Sequence, residues 1–102
     1  MIARMWHGWT KPHDADTYET LLRDEMFPSM RRIQGFEGAY LLRRVAGGEV
    51  EFVTVTLFNS MDAVRRFAGD DHETAVLHPK AVTLLSRHDP KSVHYGVRIS
   101  PE

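Results

Sequence analysis

Val50-Glu51-Phe52-Val53-Thr54-Val55-Thr56-Leu57-Phe58 is the stretch on which the fold turns. Most of its residues are β-branched or aromatic, the types that fit a pleated, packed surface. Alternation places Val53, Val55 and Leu57 on one face and Phe52, Thr54, Thr56 and Phe58 on the other. A strand apolar on one face and mixed on the other suits a sheet covered on both sides. Ala46-Gly47-Gly48-Glu49 precedes it, and a Gly-Gly pair supplies the positive φ values of a tight turn. Phe36 to Val45, before that turn, is strand-like as well, so the pattern predicts a β-hairpin.

Working outward, Tyr18, Leu21, Leu22, Met26, Met30 and Ile33 recur at helical intervals and form one apolar stripe. Asp14 or Asp16 can cap this helix, and Glu19 follows Asp16 at capping-box spacing. Pro28 sits inside the stripe and should kink or divide it; Gly35 ends the segment. After the hairpin, Ser60 caps a second helix whose buried stripe is Met61, Val64, Phe67 and Ala68, with Gly69 as terminator. Pro79 can begin a further helix through Leu85, and His88-Asp89-Pro90 reads as a loop.

The ends supply the outer strands. Ile2 to Thr10 reads as a strand closed by Lys11-Pro12, with Ala3, Met5, His7 and Trp9 on one face and Ile2, Arg4, Trp6 and Gly8 on the other. Val93 to Ser100 reads as the closing strand, with Val93, Tyr95, Val97 and Ile99 sharing a face. The order is strand, helix, strand, strand, helix, strand. It predicts one α+β domain over residues 1–102, a ferredoxin-like βαββαβ fold with a four-stranded antiparallel sheet and helices on one face. The other face would expose aromatic and branched side chains, so a second copy is the expected cover.

Composition narrows the function classes. The 13 basic and 14 acidic residues nearly cancel, which gives no drive toward nucleic acid or an anionic membrane. Arg31-Arg32, Arg43-Arg44 and Arg65-Arg66 have no glycine-rich phosphate loop beside them and read as solvated edges. The absence of cysteine removes disulfides, thiolate nucleophiles and thiolate metal sites. His72 and His78 are six apart, not on one helical face, and no metal-binding motif is present, so no metal site is expected. Without a leader-like or membrane-length apolar run, the expectation is a cytoplasmic protein.

Three segments then carry a resemblance. They are the opening Met1-Ile2-Ala3-Arg4-Met5-Trp6-His7-Gly8, Gly35-Phe36-Glu37-Gly38-Ala39, and Phe58-Asn59-Ser60-Met61-Asp62-Ala63-Val64-Arg65-Arg66-Phe67. With Asp89 and Tyr95 they resemble the antibiotic biosynthesis monooxygenase family of dimeric α+β barrels. The resemblance implies a homodimer whose two sheets form a barrel, with a cavity between sheet and helices. It also implies cofactor-independent oxygenation of phenolic or quinol-type compounds, or haem degradation. The haem-degrading branch uses an Asn on the first strand, a Trp on the second main helix and a His after it. Here the first strand offers Trp6, His7 and Gly8, and the helix holds Phe67; one His, His72 or His78, matches at best. That pattern argues against haem, and no cofactor is expected.

The candidate catalytic residues are His78 and His72, since an imidazole titrates near neutral pH and can take a phenolic proton. The resulting anion would react with O2 without metal or flavin. Arg4, Trp6, His7 and Phe67 are the candidate substrate-binding residues: Trp6 to stack on an aromatic ligand, Arg4 to hold an anionic oxygen, His7 if the opposite strand face lines the cavity. Each also has a plain structural role available in core, cap or interface. Tyr40 and Tyr95 are phenol donors or packed strand residues. A non-catalytic, dimeric small-molecule-binding or stress-associated barrel is the alternative, motivated by the missing Asn and Trp.

Overall fold

A computed structural model of the chain describes residues 1–101. The first strand, β1 (Ile2–Thr10), is central. It pairs antiparallel with β3 (Glu49–Phe58) on one side, from Ile2 opposite Phe58 to Thr10 opposite Val50. The expected hairpin forms, with β2 (Phe36–Ala46) running outside β3 and the turn at Gly47-Gly48, where Gly47 has φ +65°. On the other side of β1 lie two short strands, β4 (Leu85–His88) against Gly8–Thr10 and β5 (Val93–Gly96) against Ile2–Met5. The fourth sheet position is therefore one strand broken in two, and the sheet counts five strands in the order β2-β3-β1-β4, with β5 beside β4 on β1.

This corrects two expectations. The segment from Pro79 is a 3-10 turn, Pro79–Thr83, rather than a helix through Leu85, and Leu85 already belongs to β4. The closing strand stops at Gly96 instead of Ser100 because β1 begins at Ile2 and offers no further partner. One last bond joins the Val97 N–H to the Met1 carbonyl at 2.9 Å.

The first helix also differs in detail. The chain enters it through a 3-10 turn, Pro12–Asp14, and neither Asp14 nor Asp16 caps it with a side chain. Asp16 lies inside α1 (Ala15–Leu21) and accepts from Arg43 at 2.9 Å, as Glu19 does at 3.1 Å, which ties the helix to β2. The expected break at Pro28 takes the form of a widened π turn, Leu22–Met26, followed by one α turn, α2 (Phe27–Met30). Pro28 has no N–H for the Asp24 carbonyl, and its ring would press on that carbonyl in a regular helix. α3 (Met61–Ala68) begins as expected, with the Ser60 hydroxyl accepting from the Ala63 N–H at 3.2 Å.

The helices cover one sheet face. Tyr18, Leu21 and Leu22 pack on Val50 and Phe52, and Met30, Ala63 and Val64 pack on Phe58. Fully burying a side chain of this size stabilises by roughly 1.5–3 kcal/mol, so these contacts carry much of the fold. No helix among the described residues is long and apolar enough to cross a membrane.

Gly35 joins the first helical region to β2. Its φ is +94°, and a Cβ there would lie 2.6 Å from both the Ala63 Cβ and the Asn59 Oδ1. Gly35→Ala should destabilise the protein by more than about 2 kcal/mol through backbone strain and overpacking. A thermal melt checks this; a midpoint within a degree of wild type would show that α3 yields freely.

Candidate ligand cavity

Both sides of β1 are hydrogen-bonded, so its side chains have two directions only. Arg4, Trp6, Gly8 and Thr10 point toward the helices and are buried, whereas Ala3, Met5, His7 and Trp9 lie on the open face. Between the sheet and the helices is a cavity of about 30 Å3. Arg4, Trp6, Thr54 and Thr56 form its floor, and Tyr18, Leu22, Met26, Phe27, Met30 and Phe67 form its helical wall. Val76, Leu77, His78, Ala81 and Ser92 close the remaining side. The segment that closes it, residues 69–78, has no regular helix or strand.

Of the residues singled out in the sequence, Arg4, Trp6, Phe67 and His78 line the cavity. Trp6 is fixed at its polar end, where Nε1–H donates to the Asp89 carbonyl at 2.7 Å. Gly8 leaves the space its ring occupies: a Cβ there would meet the indole at 2.9 Å. His7 does not reach the cavity. It lies on the open sheet face, with Nδ1 3.0 Å from Asp89 Oδ2 and its ring stacked on Trp9.

The two candidate bases differ. His78 Nδ1 accepts from the Lys80 backbone N–H at 3.1 Å, capping the Pro79–Thr83 turn. The neutral ring then carries its proton on Nε2, which faces Glu25 Oε1 at 3.6 Å. Nδ1 is thereby committed to the cap, whereas Nε2–H lies beyond hydrogen-bond distance of that carboxylate. His72 is not a lining residue, but its Nδ1 is buried without a hydrogen-bond partner. Its carbonyl accepts from Arg4 Nη1.

Sequence reading missed two residues here. His94 Nε2 lies 3.0 Å from Arg4 Nη1 and must accept, because a guanidinium only donates. Its ring meets His72 edge-on at 5.3 Å. Burial, then the charge of Arg4 and the neighbouring His72, hold His94 below the usual imidazole value. The signal was present: the alternation that groups Val93 with Tyr95 sends His94 to the opposite face. Tyr18 read only as part of a helical stripe. It is buried edge-on against Phe52, and desolvation pushes its phenol up, so it stays neutral.

No protein-family model matches the chain, and no curated protein matches it. Solved structures match it over nearly its whole length. A variant of SnoaB, a cofactor-independent oxygenase from Streptomyces nogalater, is 19% identical with a TM-score of 0.69, covering 99% of this chain and 97% of that one. The heme-degrader MhuD from Mycobacterium tuberculosis, with two hemes bound in its active site, is 19% identical with a TM-score of 0.63 and 100% coverage of both chains. A monooxygenase from the gene ActVA-Orf6 of Streptomyces coelicolor, in complex with Nanaomycin D, is 18% identical with a TM-score of 0.63, covering 99% and 92%. The fold is thus the one that antibiotic biosynthesis monooxygenase proteins share, as the sequence resemblance implied.

The cavity lining offers a haem iron one candidate ligand, His78. A dry cavity that accepts benzene has about 150 Å3; this one has about 30 Å3, so haem and a smaller ring alike would need the wall to move. Among the described residues, His78 is the one histidine lining it, and its Nδ1 is taken by the Lys80 N–H.

His94 gives this cluster a pH dependence. A group whose folded pKa lies below its unfolded value binds fewer protons when folded, so stability falls as pH drops through the ordinary imidazole range. Melts between about pH 7.5 and 5.5 should show a smaller loss for His94→Gln, which keeps an acceptor for Arg4, than for wild type. Equal slopes would remove His94 as the titrating group.

Proposed function

We propose that the protein is a cofactor-independent oxygenase acting on a small aromatic, hydrophobic molecule held between the sheet and the helices. The observation that carries this reading is the cavity wall. Trp6, Tyr18, Phe27 and Phe67 supply aromatic surface, and Arg4, Thr54, Thr56 and Ser92 supply polar groups. That mix of apolar walls and few polar groups suits an oriented aromatic ligand. The likeness to SnoaB and to the ActVA-Orf6 monooxygenase supports it. At its present size the cavity takes water or O2 but not a ring, so ligand uptake requires the wall to move. Met26 and Met30 are the adaptable side chains there, and residues 69–78 are the least regular part of the wall.

With an anthrol-type substrate, loss of the hydroxyl proton makes the ring electron-rich at the opposite carbon. O2 adds there. One oxygen stays as a carbonyl, and the other leaves as water with that carbon's hydrogen and the phenolic proton. His72 lies outside the lining but has an uncommitted Nδ1, so movement of the 69–78 wall makes it the favoured proton acceptor, whereas His78 acts through its cap. Under O2, His72→Ala should lower turnover about a hundredfold or more, and His78→Ala should mainly lower the melting point. Inactivity of wild type toward anthrol- and quinol-type substrates would sink the oxygenase reading, and leave the non-catalytic binding barrel in its place. A His78→Ala loss equal to that of His72→Ala would reverse the assignment.

We also propose a homodimer through the open sheet face. Its cross-strand rows are apolar: Tyr40, Val55, Met5 and Val93 lie side by side, with Leu57, Ala3 and Tyr95 next to them. Tyr40, Val93 and Tyr95 are each more than half exposed in the single chain. Such a row is a surface that association would cover. Val55→Glu, placing a charge in its middle, should yield a monomer by native mass spectrometry. A wild type that is already monomeric at micromolar concentration would refute the dimer.

A further inference from the structure

Arg4 is 4% exposed and lies in the cavity floor, yet no carboxylate among the described residues pairs with it. Its partners are neutral: the carbonyls of His72 and Thr74, the latter at 3.0 Å, and the His94 imidazole. These take three of the five N–H donors of a guanidinium, so Nε–H and one Nη2–H have no acceptor among the described residues. A desolvated cation without a counter-ion is costly, and proteins rarely keep one without a partner. The guanidinium carbon lies 5.6 Å from the centre of the Phe67 ring, which is itself a wall of the cavity. Arg4 and Phe67 thus line one part of the cavity together.

We propose that Arg4 is the anchor for a negatively charged oxygen on the ligand, so that the cavity selects aromatic molecules bearing a carboxylate or an ionised acidic hydroxyl. This rests on the reading of the cavity as an aromatic-ligand site and adds the charge of its ligand. Charge-assisted bonds to a guanidinium are about twice as strong as neutral ones, so an anion displaces weaker interactions. His94, held neutral, adds no second cation that could serve in place of Arg4. The hydroxyls of Thr54, Thr56 and Ser92 in the lining are neutral as well.

The test uses two probes of matched shape, 2-naphthoate and its neutral amide 2-naphthamide, titrated into the full chain by calorimetry at neutral pH. Naphthoate should bind more tightly by about tenfold or more. The ratio should fall toward one in Arg4→Gln and be partly kept in Arg4→Lys, which retains the charge. If Arg4→Gln does not fold, the wild-type ratio together with Arg4→Lys decides the matter. Naphthamide binding as well as naphthoate would overturn the anion anchor and leave the aromatic cavity standing. Binding of neither would overturn both readings. Tighter naphthoate binding that Arg4→Gln leaves unchanged would place the anion elsewhere and overturn the role of Arg4.

Discussion

Every part of this fold answers to one constraint, that β1 is hydrogen-bonded along both edges. β3 occupies one edge over its full length, and β4 and β5 share the other. A strand held this way cannot rotate or slip without moving every side chain to the wrong face. Arg4 and Trp6 are therefore committed to the helix side, and His7 and Trp9 to the open side. The break between β4 and β5 is tied to the same strand. The Asp89 N–H donates to the His7 carbonyl at 2.9 Å, the Asp89 carbonyl accepts from Trp6, and the Asp89 carboxylate accepts from the His7 backbone N–H at 3.3 Å. One residue thereby anchors both faces of β1 at the point where its neighbour is interrupted.

The polar groups of the helix side give the core its chemical character. A small α+β domain stabilised only by apolar packing has no use for a buried arginine. Here the guanidinium holds the turn at His72 and Thr74 against the sheet by their carbonyls. The Ser92 N–H to Glu73 carbonyl bond at 2.6 Å and the Ala75 N–H to Pro90 carbonyl bond at 3.1 Å secure the same segment from outside. The wall opposite the helices thus depends on a few hydrogen bonds rather than on a packed element. Such a wall has less to lose by opening than α1 or α3 would have.

Much of the fold was legible in the residues themselves. The Gly47-Gly48 turn, the Ser60 cap and the alternation of Val50 to Phe58 are local signals, and the structure follows each of them. The misreadings were places where a partner decides. Pro79 opens a helix on propensity alone, but β1 recruits Leu85 into the sheet. The apolar alternation continues through Ile99, but β1 has ended, and Ile99 is 93% exposed. Asp16 has the spacing of a cap, but Arg43 from β2 claims its carboxylate.

The candidate site was legible to a smaller degree. Arg4, Trp6 and Phe67 could be named from alternation and helical spacing, because burial of a face is periodic. By itself, the sequence determined the order of elements, the two faces of each strand and the chemical types available on them. Tertiary structure alone decided which face of β1 meets the helices, that His78 Nδ1 caps a turn, and that His94 stands beside Arg4 across 90 residues of chain. The reason is physical. Turns, caps and alternation are set by neighbours along the chain, whereas the state of a buried charge or imidazole is set by what other segments bring within hydrogen-bond reach.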